Sequence, residues 1–310
     1  MAASDQDRMR EKVNKGPKRN DLFNVVPEGS SRILEIGYGE GTLISRLKLE
    51  KNCTELYGIE THDGHFKSME GLLDGNWNMY IGENGNHLPD QYWDFFNWII
   101  MHDVLEHIYD PWYFLSYVQR YLAPGAKLLL ACPNAMYWQT IFSLLHGDFP
   151  YGLDGHFNEE HIRWFTPKSM IELAILSGLR VEESHLLLTS KITPELQQFL
   201  NQNSEGRLLP MPPKNIGHQG YLNFFPPNLN DLYENADIEV MFKGQGNNAH
   251  LAFYAVKIML VCSVAGDRRE LPRVRVGSVK RLRQQMLEEK GEAIAELLPR
   301  EWKAYVWQSG

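Results

Sequence analysis

The chain has 310 residues, 43% of them hydrophobic and 23% charged, with a net charge of −8. That length buries the core of one large or two small domains, and the acidic balance argues against a nucleic-acid groove as the main surface. The charged N-terminus, with Asp5, Asp7, Arg8, Arg10, Glu11 and Lys12, lacks the apolar core of a signal peptide. The most apolar stretch, 251–265, carries Lys257 and is too short to span a bilayer, so no membrane span is expected. Cys53, Cys132 and Cys262 lie far apart without metal-ligand spacing and fit buried thiols of a reducing compartment. A cytoplasmic protein is expected.

Residues 1–30 read as a leading helix or loose arm. From Arg32 onward strand and helix patterns alternate: strand 33–36, helix 42–49, strand 55–60, helix 65–73 and strand 77–81. Residues 95–101 are a continuous apolar run, as expected of a strand covered on both faces. A helix over 111–122 carries Pro111 in its first turn, and Pro124-Gly125 turns the chain into a strand at 127–132. Such alternation predicts an α/β fold with a doubly wound, mostly parallel sheet. A helix follows at 135–145, then an aromatic and glycine-rich loop at 147–158. Thr166 and Pro167 fit the N-cap and first position of a helix reaching about Ser177. Strands are predicted at 179–183 and 251–264, closing a main domain of 31–265. Residues 193–248, with five prolines between Pro210 and Pro227, read as an insertion, a lid in one reading. The tail 266–310 begins with the basic residues Arg268 to Arg283 and continues as an amphipathic helix through Val279, Leu282, Met286, Ile294, Leu297 and Leu298.

The most informative stretch is Ile33-Leu34-Glu35-Ile36-Gly37-Tyr38-Gly39-Glu40-Gly41, a buried strand stopping at a glycine turn before a helix. Glycine lets backbone approach a cofactor and tolerates positive φ. A dinucleotide turn wants G-x-G-x-x-G, whereas here the third glycine is Gly41 and Thr42 follows it. That substitution, with no hydride-site motif, disfavours a nicotinamide dehydrogenase. The G-x-G-x-G spacing after an acid instead resembles the first motif of class I S-adenosylmethionine (SAM) dependent methyltransferases. SAM has no phosphate to cradle, so the loop of Gly37, Gly39 and Gly41 only has to pass flat beneath it. Glu60, ending the second strand, can accept from both hydroxyls of a nucleoside ribose, in SAM or NAD alike. Glu83 reads as an acceptor for the adenine amine or as an ordinary loop acid. Glu35 either orients the loop or meets the methionine amino group.

Further motifs strengthen the resemblance. Asp94-Phe95, Met101-His102-Asp103-Val104-Leu105-Glu106-His107 and Asp110-Pro111 look like the "FD…DVLEH…DP" signature of class I methyltransferases, and Leu122-Ala123-Pro124-Gly125 like their "LxPGG" turn. Pro133-Asn134, Leu144 to Phe149 and His161-Ile162-Arg163-Trp164-Phe165-Thr166 resemble a bacterial subgroup associated with glycan and cell-surface polysaccharide modification. The similarity covers about residues 32–183. It implies a Rossmann-like, seven-stranded sheet, here with the insertion and a C-terminal helical tail, and SAM as cofactor. Tyr38, Ala126 and Glu160 depart from the pattern without breaking the cofactor logic. His102, where a small residue is usual, changes how the methionine end or the acceptor is held.

Methyl transfer is an in-line displacement, so alignment and water exclusion matter most, and a hydroxyl acceptor also needs a base. His107 and His161 are the candidates, with Asp103 orienting the histidine or contacting the SAM amine. Each histidine also has a purely structural reading, His107 bonded at a helix start and His161 pinning its loop with Arg163. Asp103, Glu106 and His107, at i, i+3 and i+4 of a helix, can converge with His161 on a divalent metal. The resemblance implies that most carriers of the DVLEH signature need no metal. Tyr137, Trp138, Phe149, Tyr151, His156 and Phe157 form either a sugar-stacking surface or the core of a lid. The expected activity is O-methylation of a hydroxyl on a sugar or glycan intermediate. N- or O-methylation of a peptide or natural-product scaffold, and a SAM-binding scaffold subunit without turnover, are the alternatives. The tail helix packs on its own domain or on a second copy of the chain.

Overall fold

The computed structural model describes residues 3–82, 86–145, 147–188, 255–265 and 302–306. One eight-stranded sheet organises them, in the order β3-β2-β1-β4-β5-β7-β6-β8. The strands are β1 (Ser31–Ile36), β2 (Thr54–Ile59), β3 (Gly75–Trp77), β4 (Phe96–His102), β5 (Leu122–Pro133), β6 (Leu179–Leu188), β7 (Ala255–Val264) and β8 (Trp302–Val306). β1 to β5 are parallel, and β7 runs antiparallel to both β5 and β6. The helices are α1 (Ala3–Lys15), α2 (Asn20–Val25), α3 (Thr42–Glu50), α4 (Asp63–Ser68), α5 (Pro111–Val118), α6 (Trp138–Leu145) and α7 (Pro167–Leu176).

Side chains alternate across each strand, so the sheet builds two cores. Leu34, Ile36, Ile99, Met101, Leu128 and Leu130 pack with Phe114 and Leu115 of α5 and Met170 and Leu173 of α7 on one face. Ile33, Leu56, Ile100, Leu129 and Met259 pack with Met9 of α1, Leu22 of α2 and Ile44 and Leu47 of α3 on the other. This double burial is why the central strands read as unbroken apolar runs. The leading residues are therefore helical and form part of the second layer.

Some boundaries differ from those the sequence predicts. β3 lies at Gly75–Trp77 instead of 77–81, because its backbone pairs with Tyr57–Ile59 and Trp77 stacks on Tyr57 with ring centroids 6.2 Å apart. The predicted turn at Pro124-Gly125 is an irregularity within β5: the register moves from Phe96↔Leu122 to Trp98↔Lys127, and Gly125 takes φ +76°. Among the described residues the expected sheet carries one further strand, β8, at its edge. Trp302–Val306 pairs parallel to the edge of β6, so this part of the tail is strand and not helix. The insertion 193–248, the basic run and the amphipathic segment 279–298 lie outside the described residues. No helix among the described residues is long and apolar enough to cross a membrane.

α7 starts as the sequence predicts. Thr166 Oγ1 accepts from Ser169 N at 3.2 Å while Ser169 Oγ accepts from Thr166 N at 2.8 Å, with Pro167 at the first position. Thr166→Ala removes that reciprocal cap and is expected to cost about 1 kcal/mol. A denaturant midpoint unchanged from the parent chain would show the cap to be idle.

Candidate active site

Parallel pairing brings the carboxyl ends of β1, β2 and β4 to one level, with Ile36 beside Ile59 and Met101. The residues that follow, Gly37, Glu60 and His102, therefore meet in the crevice above the sheet, where open α/β sheets bind ligands. Gly37, Gly39 and Gly41 all take positive φ, at +72°, +54° and +76°. A side chain at Gly37 would put its Cβ 2.6 Å from Val104 Cγ2, whereas a Cβ at Gly39 would meet nothing within 4 Å. The turn is thus packed from below at Gly37 and bare at Gly39. Glu60 braces it: one carboxylate oxygen accepts from Gly39 N at 2.7 Å and the other from His62 N at 2.8 Å. Each oxygen keeps lone-pair capacity for a further donor. Tyr38 is buried beneath the loop and donates to Asn76 Oδ1 at 2.8 Å. Gly58 makes the space for it, since a Cβ there would lie 2.5 Å from the tyrosine ring.

Beside the glycine turn stands a polar group. The buried Glu35 lies 3.5 Å from His102 Nε2, and burial pushes its pKa up, with His102 opposing. Asp103 adopts the left-handed φ of +54°, which is strained for a residue with a side chain. Its carboxylate pairs with Lys257 of β7 and with Arg19 at 3.3 Å, and His102 Nδ1 stands 3.6 Å away. Burial works against its charge, but Lys257, His102 and Arg19 together hold it well below the usual carboxylate range. Arg19, in the left-handed turn between α1 and α2, is buried and also pairs with Asp21 at 3.3 Å. α1 clasps the glycine loop through Lys12, which donates to Glu40 O at 3.0 Å and Ser68 Oγ at 2.8 Å.

A second group lies beyond Asp103. Leu105–His107 forms a 3-10 turn, not the α-helical turn that would align Asp103 with Glu106 and His107. Asp103 is engaged with Lys257 and Arg19 instead, and the cluster is Glu106, His107 and His161. The His107 and His161 rings meet edge to face with centroids 4.9 Å apart, and His161 Nε2 is 3.9 Å from Glu106 Oε1. Burial raises Glu106 to about 8, reinforced by Asp103, and lowers His161. Backbone bonding explains why the two motifs occur together: Glu106 O accepts from both Ile162 N and Arg163 N at 2.9 Å, and Arg163 Nε donates to Tyr109 O at 3.0 Å. His161 Nδ1 bonds to His156 O at 3.1 Å, and His156 Nε2 bonds to Val256 O at 2.9 Å. Burial holds His156 at about 4, so it stays neutral. Phe149 contacts Tyr151, Phe157 and Trp164, each with centroids 5.0 Å apart, and Trp164 reaches His161 at 6.2 Å.

Glu35, Gly37, Gly39, Gly41, Glu60, His102 and Asp103 therefore gather at the carboxyl ends of β1, β2 and β4, with His107 and His161 following β4, while Glu83 lies outside the described residues. Arg19 and Lys257, which pair with Asp103 at the candidate site, are residues that the sequence reading missed. Neither stands in a motif; each arrives from a distant segment by packing. The nearest local signal is the basic-acidic pair Arg19 and Asp21.

An open sheet with a reversed β7, a bare glycine turn after β1 and an acid after β2 are the features of a Rossmann-like α/β fold. A family model described as "Methyltransferase domain" matches residues 5–184, and the chain belongs to that family. It is an enzyme of the methyltransferase class. Solved structures similar to it include an Aquifex aeolicus SAM-dependent methyltransferase, with 18% identity, 58% of this chain and 92% of that chain covered, and TM-score 0.39. A Mesorhizobium loti SAM-dependent methyltransferase has 12% identity, 81% and 99% coverage, and TM-score 0.44. Haemonchus contortus phosphoethanolamine N-methyltransferase 2, solved with SAM, has 15% identity, 83% and 53% coverage, and TM-score 0.40. No curated protein sequence matches the chain.

Proposed function

We propose that the enzyme O-methylates a hydroxyl of a sugar or glycan intermediate. The observation that carries this reading is the orientation of His161. A carbonyl only accepts, so the bond to His156 O makes Nδ1 the donor and leaves the Nε2 lone pair directed at Glu106. An imidazole held in that tautomer accepts a proton from a hydroxyl brought against it, and His107 stacks edge-on beside it. The aromatic group of Phe149, Tyr151, Phe157 and Trp164 beside it suits the apolar face of a pyranose.

The crevice fits SAM. Gly39 leaves open space above the turn, Glu60 has lone pairs for the ribose hydroxyls, and Glu35, His102 and Asp103 supply polar groups for the methionine end. Bound there, SAM supplies a methyl group already activated by its sulfonium. The chain's own residues then align the acceptor, keep water out and take the hydroxyl proton at His161 Nε2. Cys53, Cys132 and Cys262 are buried free thiols, which fits a reducing, cytoplasmic setting.

Mass spectrometry of glycan and sugar-nucleotide acceptors incubated with SAM tests the reading directly, with addition of one methyl to a hydroxyl as the expected product. His161→Ala is expected to lower kcat by about 10²- to 10⁴-fold while SAM affinity stays nearly constant. Full turnover by that variant would remove His161 from the reaction, and methylation confined to amines would reject the hydroxyl acceptor.

A further inference from the structure

We infer that His156 is a positioning residue of methyl transfer: it ties its own loop to β7 and so fixes which nitrogen of His161 holds the proton. The His156 ring is held on two sides. Its Nε2 donates to Val256 O at 2.9 Å, because a carbonyl only accepts. One face lies on Tyr137, with centroids 4.9 Å apart and planes 20° from parallel. With an edge and a face already taken, this ring anchors the loop instead of stacking on a sugar.

The anchor is itself firmly built. Val256 O also accepts from Asn134 N at 3.1 Å, and the buried Asn134 donates from Nδ2 to Ala255 O at 2.8 Å. Asn134 Oδ1 accepts from Met136 N at 3.0 Å, and Asn134 O accepts from Tyr137 N at 2.9 Å, which sets Tyr137 where His156 meets it. The start of β7 and the turn after β5 thus offer one carbonyl and one ring to the same histidine. The loop around His156 is closed by Gly152 N donating to Phe157 O at 2.9 Å and Glu159 N to Gly152 O at 2.9 Å. From that closed loop His156 O accepts from His161 Nδ1 at 3.1 Å.

This inference rests on the reading of His161 as the acceptor of the hydroxyl proton. A free imidazole exchanges its proton between Nδ1 and Nε2, and only the form protonated on Nδ1 can accept at Nε2. The His156 carbonyl selects that form while it stays within hydrogen-bond reach. Its place depends on a bond to a residue 100 positions further along the chain. Without the ring the loop loses this tie to the sheet, and a misplacement of about 1 Å at a reacting group can cost about a hundredfold in rate. His156 exchanges no atom itself. The proton passes from the acceptor oxygen to His161 Nε2 as the oxygen–methyl bond forms, and the sulfur–methyl electron pair stays on sulfur.

The test uses the full-length chain. His156→Phe keeps a ring against Tyr137 and removes the N–H, whereas His156→Gln keeps an N–H at a similar reach without the ring. In His156→Phe, kcat for hydroxyl methylation is expected to fall about tenfold to a hundredfold while SAM affinity and acceptor KM stay near those of the parent. His156→Gln is expected to recover most of that loss. A general support of the fold would not move the His161 tautomer, which nitrogen-15 NMR reads above the imidazole titration range, assigned by its absence in His161→Ala. The parent is expected to hold the proton on Nδ1 alone, and His156→Phe to share it between both nitrogens. Tyr137→Leu, which removes the stacking face, supplies the same comparison if circular dichroism shows His156→Phe to be unfolded. A parent ring protonated on Nε2, a tautomer that these substitutions leave unchanged, or parent kcat in His156→Phe overturns the role. Equal losses of kcat and SAM affinity would make His156 a support of the fold and overturn it too. A tautomer that shifts as expected in a chain that methylates no hydroxyl keeps His156 as the holder of His161 and discards the hydroxyl acceptor.

Discussion

Gly39→Arg is expected to abolish SAM binding. The turn at Gly39 has φ +54° and open space where a side chain would point, while its N–H is bonded to Glu60. An arginine there suffers twice. The left-handed backbone costs an L-residue about 1–2 kcal/mol, and the guanidinium stem fills the surface on which the cofactor would lie. A loss of a hundredfold or more in affinity corresponds to about 2.7 kcal/mol or more. Calorimetry with SAM and with S-adenosylhomocysteine measures it, and circular dichroism checks that the fold persists. Gly39→Ala separates the two costs, because it carries the backbone strain without the bulk, and a smaller loss is expected. Parent-like affinity in the arginine variant would mean that the cofactor does not lie on this turn.

Arg19→Met should destabilise the chain by about 3 kcal/mol, the lower end expected for removing one partner of a buried ion pair. The Asp21 side chain is 1% exposed and its pairing with Arg19 is buried with it, so methionine leaves that carboxylate without the guanidinium. Asp103 keeps Lys257 and is the less affected of the two. Because Arg19 joins the α1–α2 segment to the end of β4, the same substitution is expected to weaken SAM binding as well. Denaturant unfolding gives the first quantity through its midpoint and calorimetry the second. A midpoint that does not move would show that packing of Met9 and Leu22 alone holds the N-terminal helices in place. Loss of stability without loss of affinity would separate the ion pair from the cofactor crevice.

Much of the candidate site's geometry was legible because it is written locally. The glycine turn, Glu60 and the His102–His107 segment each follow directly from the end of a strand, and a strand's end is visible in the apolar run before it. The capping of α7 was legible for the same reason, as its four residues are contiguous. The convergence of Asp103 with Glu106 and His107 was misread because helical spacing was assumed where the chain makes a 3-10 turn, and the left-handed Asp103 turns its carboxylate to Lys257 and Arg19. β8 was missed because the five residues Trp302 to Val306, after a helical pattern, carry little weight until β6 offers an edge.

By itself, the order of residues determined the alternation of strands and helices, the doubly wound sheet and the bare glycine turn after the first strand, because these depend on periodicity and on glycine's freedom at positive φ. Tertiary structure alone decided which charges face one another. Arg19 and Lys257 come from segments far apart in the chain to hold Asp103, and Glu106 meets His161 because a carbonyl on one loop accepts two N–H groups from another. Such pairings arise from burial, where an unpaired charge or polar group is too costly to leave, and no local pattern records which distant residue will answer it.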